Sequence, residues 1–345
     1  MNLLRNRAAQ RIAILALTVI APFAFPAYQT ELTFLWIMIV FALSWDIMGG
    51  QAGYNSFGNI VFFGIGVYTA TIAQIGLFHD VAAYTSAAGG ETLTLTPQQY
   101  FIGLFAGLAL APLLAIAAAV VLGAALLGLR GHYFAIATLG LGIAGGEFAA
   151  AWTWLGGSSG VQVPVYPGSL TGQRLMFYFL SAGLGLAAFM ILRRLYATRF
   201  GLVLNAIRDD EDKAEALGLR TTRYKIAGWC IAAGILGLAG GLMGHIIGFI
   251  DPREVAFAGA TFGVWMVLMA ILGGKGTIWG PVIGAAIFHI TRELFWTYLF
   301  GWQNVALGLL IVVVVVFFPT GILGWVKQRY PRLFALDVAA PRAQP

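Results

Sequence analysis

Apolar positions in this chain neither alternate with polar ones nor recur at a helical period; they run on. Predominantly apolar stretches occupy roughly 12–28, 32–48, 60–78, 101–129, 133–155, 175–192, 226–250, 255–272, 278–298 and 305–326. A helix of about 20 apolar residues spans the ~30 Å hydrocarbon core of a bilayer, so each stretch reads as one span. The pattern predicts an all-α polytopic membrane protein with about ten transmembrane or re-entrant helices. The first stretch follows Arg5, Arg7 and Arg11, a basic head that signal peptides share. It is longer than a signal core, however, and Phe25-Pro26-Ala27 is a poor small-x-small cleavage site, so it reads as a retained first helix.

Composition sharpens this picture. Of 345 residues 60% are hydrophobic and 10% charged, against about 25% charged in soluble domains. The 45 glycines are about twice the usual share of roughly 7% and suit helices in close contact. The net charge of +6 decides orientation rather than indicating nucleic-acid binding. With the amino terminus inside, 17 of the 20 Lys and Arg residues fall in cytoplasmic segments, leaving Arg174, Arg253 and Arg292 outside. The positive-inside rule therefore predicts both termini in the cytoplasm. Cys230 is the sole cysteine, which excludes intrachain disulfides and cysteine-rich zinc sites.

The polar segments sort accordingly. Positions 78–99 carry Asp80 and Glu91 but no Lys or Arg, and 155–174 is rich in Gly, Ser and Pro; both read as external loops. The longest internal connection is about 196–225. The organisation is one membrane domain over 1–330 and a cytoplasmic tail over 331–345. Gly49-Gly50-Gln51-Ala52-Gly53 and Gly273-Gly274-Lys275-Gly276 are weak echoes of each other, as diverged repeats of transporters can be.

Enzyme chemistry is not visible. No catalytic residue can be named, because no nucleophile elbow, metalloprotease motif or Walker A loop is present. Gly273-Gly274-Lys275-Gly276-Thr277 fails as a phosphate loop, since Gly276 separates the lysine from the threonine. His79, His132, His245 and His289 are scattered, and no metal set is assigned. The informative segment is Arg208-Asp209-Asp210-Glu211-Asp212-Lys213-Ala214-Glu215-Ala216-Leu217-Gly218. Its acids suit the first turn of a helix, Ala and Leu suit its body, and Gly218 suits a stop. It reads either as a short helix docking on a partner or as a solvated connector; Glu215 is expected on its exposed face.

Four stretches, taken together and in order, resemble one family. They are 50–58 (Gly50-Gln51-Ala52-Gly53-Tyr54-Asn55-Ser56-Phe57-Gly58) with Phe63 to Tyr68, 129–139 beginning Leu129-Arg130-Gly131-His132-Tyr133, 206–218, and 272–281. The chain resembles the branched-chain amino-acid permeases of ATP-binding-cassette importers, specifically their M-type (LivM-like) subunits. That resemblance implies a bacterial inner-membrane permease subunit forming half of a translocation path. The implied partners are a homologous second permease, two cytosolic ATPases, an external solute-binding protein and membrane lipid. No cofactor is implied on this chain; ATP and Mg belong to the partner ATPases. Coupling to them falls on Arg208, Asp209, Asp210, Glu211, Asp212, Glu215, Ala216 and Gly218. Branched-chain or other amino acids are the implied solutes, with urea, short amides and aromatic acids as variants; an ion-gradient-driven transporter is the rival class.

The path candidates are Glu147, Asn55 and Ser56. Similar permeases carry an acid soon after the Thr-Leu pair of span five, whereas here Thr138-Leu139 is followed by an acid only at Glu147. The Asn55-Ser56-Phe57-Gly58-Asn59 run also departs from the family's Ser-Leu-Gly-His form. Glu147, read as mid-span, either lines the path or makes a structural hydrogen bond. Asp46 is read as snorkelling or capping backbone at an inner span end, and Asp251-Pro252-Arg253-Glu254 as an external turn. Arg292 and Glu293, as sequence neighbours, are expected to diverge on a helix as interfacial anchors. Gly237, Gly240, Gly241 and Gly244 predict a face of close helix contact.

Overall fold

The computed structural model describes residues 7–86, 93–299, 301–302, 305, 308–309, 312 and 321–329, with 7–13 and 327–328 by backbone alone. The helices are α1 (Arg7–Ala24), α2 (Gln29–Asp46), α3 (Asn59–Gly76), α4 (Val81–Thr85), α5 (Pro97–Leu126), α6 (Gly131–Ala151), α7 (Leu170–Tyr196), α8 (Arg199–Asp209), α9 (Glu211–Ala216), α10 (Thr221–Ile247), α11 (Val264–Gly273), α12 (Trp279–Tyr298) and α13 (Gly321–Arg329). Two short strands, β1 (Val161–Gln162) and β2 (Phe249–Ile250), pair antiparallel with Val161 opposite Ile250. The protein is thus an all-α polytopic membrane protein. Among the described residues seven segments are long and apolar enough to span a bilayer: Pro26–Gln51, Asn59–Gly76, Pro97–Leu126, Gly131–Ala151, Leu170–Tyr196, Thr221–Ile247 and Pro252–Gly273. Most of the predicted 305–326 stretch, the 331–345 tail and residues 87–92 with Glu91 lie outside the described residues.

Local chemistry sets the helix ends. Thr96 and Gln99 form a reciprocal capping box at α5, with Pro97 in the first turn, where its missing N–H has no intrahelical acceptor to lose. Ser169 accepts the Gly172 N–H at the start of α7. Gly248 closes α10 at φ +83°. The predicted 255–272 span is not one helix. Wide helical turns at Pro252–Ala256 and Gly259–Gly263 precede α11, which has only ten residues. Asp251 takes the N–H groups of Arg253 and Glu254, and the glycines favour the break that follows. The end of α2 is also irregular: a wide turn at Ile47–Gln51 leads into non-helical backbone before α3.

The core lies where α2, α3, α5 and α10 meet. Residues 37–48 of α2 and the turn after it are almost wholly inaccessible. α5, α6 and α7 instead leave large apolar side chains uncovered, among them Leu113, Val121, Ile143 and Phe148. So extended an apolar surface suits lipid, not water. Glycine sets the spacing within the core. A Cβ on Gly240 would fall onto the Phe63 carbonyl of α3, and one on Gly237 would stand 2.9 Å from the Ala111 carbonyl of α5. One on Gly241 would meet Leu108 of α5 at 2.8 Å, while Gly244 has ordinary room beside Thr71. The small-residue face of α10 therefore packs against helices of its own chain.

Gly240→Ala should force α10 and α3 apart, because the obstruction is backbone and cannot rotate away; overpacking of this kind costs about 1–3 kcal/mol. Gly140→Ala, at a helical glycine with nothing within 4 Å of the added methyl, should be neutral or mildly stabilising. Thermal unfolding of the two variants in the same detergent checks the contrast.

Candidate functional site

The 196–225 connection folds as two helices rather than one. α8 ends at Asp209; the chain breaks at Asp210, whose carboxylate accepts the Lys213 N–H at 3.0 Å and caps α9. That backbone bond and the Lys213 ammonium hold the Asp210 pKa below its ordinary value. Gly218, at φ +84°, closes α9, with the Leu219 N–H bonded back to the Ala214 carbonyl and the Gly218 N–H to that of Glu215, a left-handed helix stop. Ala216, Leu217 and Gly218 are exposed, Leu217 at 82%.

A buried lysine fastens this segment to the bundle. Lys225, one turn into α10 and 2% exposed, donates to Glu211 Oε1 at 2.7 Å, to the Leu127 carbonyl at 2.8 Å and to the Tyr54 hydroxyl at 2.9 Å. Tyr54 OH donates in turn to Glu211 Oε2. Burial raises the Glu211 pKa, but the bonds from Lys225 and Tyr54 and the charges of Lys225 and Arg130 outweigh it and hold the carboxyl below its ordinary range. Arg130 reaches Asp212 at 2.5 Å, Glu215 at 3.4 Å and Glu211 at 3.5 Å. Glu215 also accepts from the Thr221 hydroxyl at 2.6 Å. Glu215 is exposed, as its helical position predicts, and from that position it also ties α9 to α10.

Arg208 joins the segment to a second junction. It bonds Asp209 Oδ1 at 3.0 and 3.1 Å, and its Nη1 lies 3.5 Å from the Gly50 carbonyl. Its stem also packs against Gly53, at φ +76°. Asp46 is buried and does not snorkel; its Oδ1 accepts the Gly276 N–H at 2.7 Å. A Cβ on Gly50 would run into that carboxylate and into the Gly276 amide. The two glycine stretches, over 200 residues apart in the chain, thus touch each other beneath Arg208. All four motif stretches meet on this face: 50–58 through Tyr54, 129–139 through Arg130, 206–218 through Glu211, and 272–281 through Gly276.

The path candidates do not form one cluster. Ser56 is buried; its carbonyl accepts the Trp45 indole N–H at 2.7 Å and its hydroxyl the Gly58 N–H at 3.3 Å. Asn55 is exposed. Glu147 is not mid-span but one turn from the end of α6, about 14 Å along the helix from Thr138, which receives the Phe57 N–H. There it makes a bidentate pair with Arg253, both contacts 2.8 Å, with each side chain more than half exposed. An apolar groove of about 440 Å³ between α3, α5 and α6 lies nearby, lined by Phe148, Trp152, Trp154 and Phe257 with no charged residue, so it offers nothing to a solute's charges. Arg292 and Glu293 do pair, contrary to their expected divergence, because two long side chains on adjacent residues can curl toward each other.

Sequence reasoning identified the acids of α9 but missed Lys225, Tyr54, Arg130 and Thr221, which receive them. Tyr54 and Arg130 lie within the motif stretches, so a signal existed. Lys225 was counted only as a loop charge.

A sequence profile of the family described as branched-chain amino acid transport system, permease component, matches residues 28–318. The chain is similar to the high-affinity branched-chain amino acid transport permease LivM of Salmonella typhimurium, at 28% identity over 84% of this chain and 74% of that protein. It is 27% identical to LivM of Escherichia coli, over 90% of this chain and 74% of that one. LivH of Salmonella typhimurium is 30% identical over 50% of this chain and 52% of its own length. No solved structure matches.

Glu211→Gln should leave the Lys225 ammonium buried without its counter-charge, and a broken buried pair costs about 3–5 kcal/mol. Combining Glu211→Leu with Lys225→Met should recover most of that loss, since an apolar pair replaces the charges. Midpoints of thermal unfolding for the single and double variants measure both effects.

Proposed function

The chain belongs to the family of branched-chain amino acid transport permease components, and from that premise we propose that it forms half of the path of an ATP-driven importer for branched-chain amino acids. A LivH-like permease completes the path, two cytosolic ATPases drive it, and an external binding protein delivers the solute; ATP and Mg sit on those ATPases. The convergence of the four motif stretches on one face is the observation that carries this reading. A partner that pushes on α8 and α9 pushes at once, through Lys225, Arg130 and Arg208, on α10, on the α5–α6 turn and on the glycine junction of α2 with α12. A mere connector needs no such anchorage.

The orientation we propose puts α8 and α9 in the bacterial cytoplasm, with both termini on that side and about ten helices in the membrane. The basic residues around α8 and α9 and the lack of Lys and Arg in the 78–99 loop support it. The exposed coupling surface is then Asp209, Asp212, Ala216, Leu217 and Gly218, with Arg208, Glu211 and Glu215 transmitting. Leu217 is the apolar contact, as amphipathic helices use when they dock in a partner's groove. Solute selectivity rests chiefly with the binding protein. Intramembrane acids are too few for an ion-coupled transporter; Asp46 and Glu147 each already hold a structural partner.

Leu217→Glu touches nothing in this chain's core, so the complex should assemble and keep its unfolding midpoint while uptake and substrate-stimulated ATP hydrolysis fall at least tenfold. Normal uptake in the complete complex would reduce α8–α9 to a connector.

Glu147 acts, in this reading, by holding the Pro252–Ala256 turn against α6. Glu147→Arg alone should depress uptake and complex yield together, and Glu147→Arg with Arg253→Glu should restore both. A swapped pair that assembles fully yet transports nothing would instead mean that the carboxylate meets the solute.

A further inference from the structure

At the end of the α2–α12 pair remote from α8 and α9, three side chains turn toward one another. Glu31 lies in the first turn of α2; His289 and Glu293 lie one turn apart on α12. One donor atom from each falls within 4.8 Å of the others. The His289 Nε2 stands 3.9 Å from Glu31 Oε2, too far for a hydrogen bond. Glu31 Oε2 is buried and has no hydrogen-bond partner among the described residues, and the same holds for the second ring nitrogen, Nδ1, of His289. His289 itself is 5% exposed. A buried imidazole and a buried carboxylate oxygen that face each other without bonding are a costly arrangement.

We propose that Glu31, His289 and Glu293 bind a divalent transition-metal cation of the zinc class. Ligand bonds of about 2.0–2.2 Å at tetrahedral angles hold donor atoms about 3.4 Å apart, so the 3.9 Å gap closes onto an ion with a shift of about half an ångström. Drawing in donor atoms within 4.8 Å of one another to that spacing takes a side-chain adjustment of at most about 1.4 Å. One imidazole and two carboxylates suit zinc better than magnesium or calcium, which prefer oxygen alone, and water supplies a fourth ligand. Helical spacing of i and i+4 places His289 and Glu293 on one face, and α2 adds the third ligand across the helix pair. The carboxylates of Glu31 and Glu293, 38% and 31% exposed, open the site to solution. Arg292 is the neighbouring positive charge. It lies over the Trp265 ring, 5.2 Å from the centroid, and both its bonds go to Oε1 of Glu293. Its single charge leaves two carboxylates only half compensated. Bound metal would staple α2 to α12 at this end, as the Asp46 contact with Gly276 does at the other.

The test uses the full-length protein in lipid nanodiscs, stripped with a chelator and titrated with zinc chloride. A ligand that binds only the folded state raises the unfolding midpoint with concentration. The expected result is a rise of a few degrees that saturates at one ion per chain and reverses on chelation. His289→Ala, Glu31→Gln and Glu293→Gln should each abolish the rise, and His79→Ala should retain it. Because the two Gln variants keep side-chain size and hydrogen-bonding capacity, they report on the site even if His289→Ala folds poorly. No zinc-dependent rise would overturn the proposal and leave a shared proton between the carboxylates. A rise that survives in both Gln variants would place the metal elsewhere and overturn it equally.

Discussion

A lysine ammonium that lies beneath the end of a membrane helix must be neutralised where it stands, and much of this protein's polar face follows from that requirement. Lys225 is too deep in α10 to reach water. Its three partners come from three places: the non-helical backbone after α2, the end of α5, and the first residue of α9. Satisfying one cation therefore fixes the register of three segments. Once Glu211 is held by Lys225 and Tyr54, α9 lies against the bundle, Arg130 can gather its remaining acids, and Leu217 is left facing outward. A buried pair is a weak source of net stability but a strong source of specificity in favourable cases. Here the specific outcome is a connector that cannot move without moving its helices.

Close approach of backbones is the second constraint, and it is met by absence of side chain. In lipid no hydrophobic force drives one apolar helix onto another, so association rests on packing and hydrogen bonds. Gly66 of α3 and Gly237 and Gly240 of α10 leave room for carbonyls where other residues would put a methyl group. The same device serves the junction under Arg208, where Gly50 lets the Asp46 carboxylate reach the Gly276 amide. Backbone that leaves the helix within a membrane protein must find such partners. Close packing and polar satisfaction therefore coincide at the turn where α2 ends.

The antiparallel α2–α12 pair joins the two faces of the molecule. One end holds Asp46 and Gly276 beside Arg208, and the other holds Glu31, His289 and Glu293. Arg208 of α8 lies against the first end, with its Nη1 3.5 Å from the Gly50 carbonyl. On the remote face the Glu147–Arg253 pair fixes the broken segment before α11, while β1 and β2 fasten the 155–174 loop to the end of α10.

What the sequence determined by itself is what depends on local composition and on counting. Long apolar runs suit membrane helices, so the fold class was legible, and among the described residues seven segments are long and apolar enough to span. The acids before Ala214 and Gly218 after it marked the two ends of α9 near where they occur, because caps act within one turn. The acids of α9 stood out because they are clustered in the chain. Tertiary structure decided everything that depends on which side chains meet. Adjacency in the chain suggested that Arg292 and Glu293 part, and they pair; helical position put Glu215 on an exposed face, where it lies, but could not say that Arg130 and Thr221 meet it there. The single span expected over 255–272 is broken, because a tertiary tie from Arg253 to Glu147 and local Gly and Asp chemistry compete with apolar length. His289 looked isolated because Glu31, which it faces, lies more than 250 residues away in the chain. Lys225 looked like one more loop charge, since a charge count knows the side of the membrane but not the depth. Hydrophobicity is a sum over residues and can be read one at a time; neutralising a buried charge takes at least two groups, and only the fold says which two.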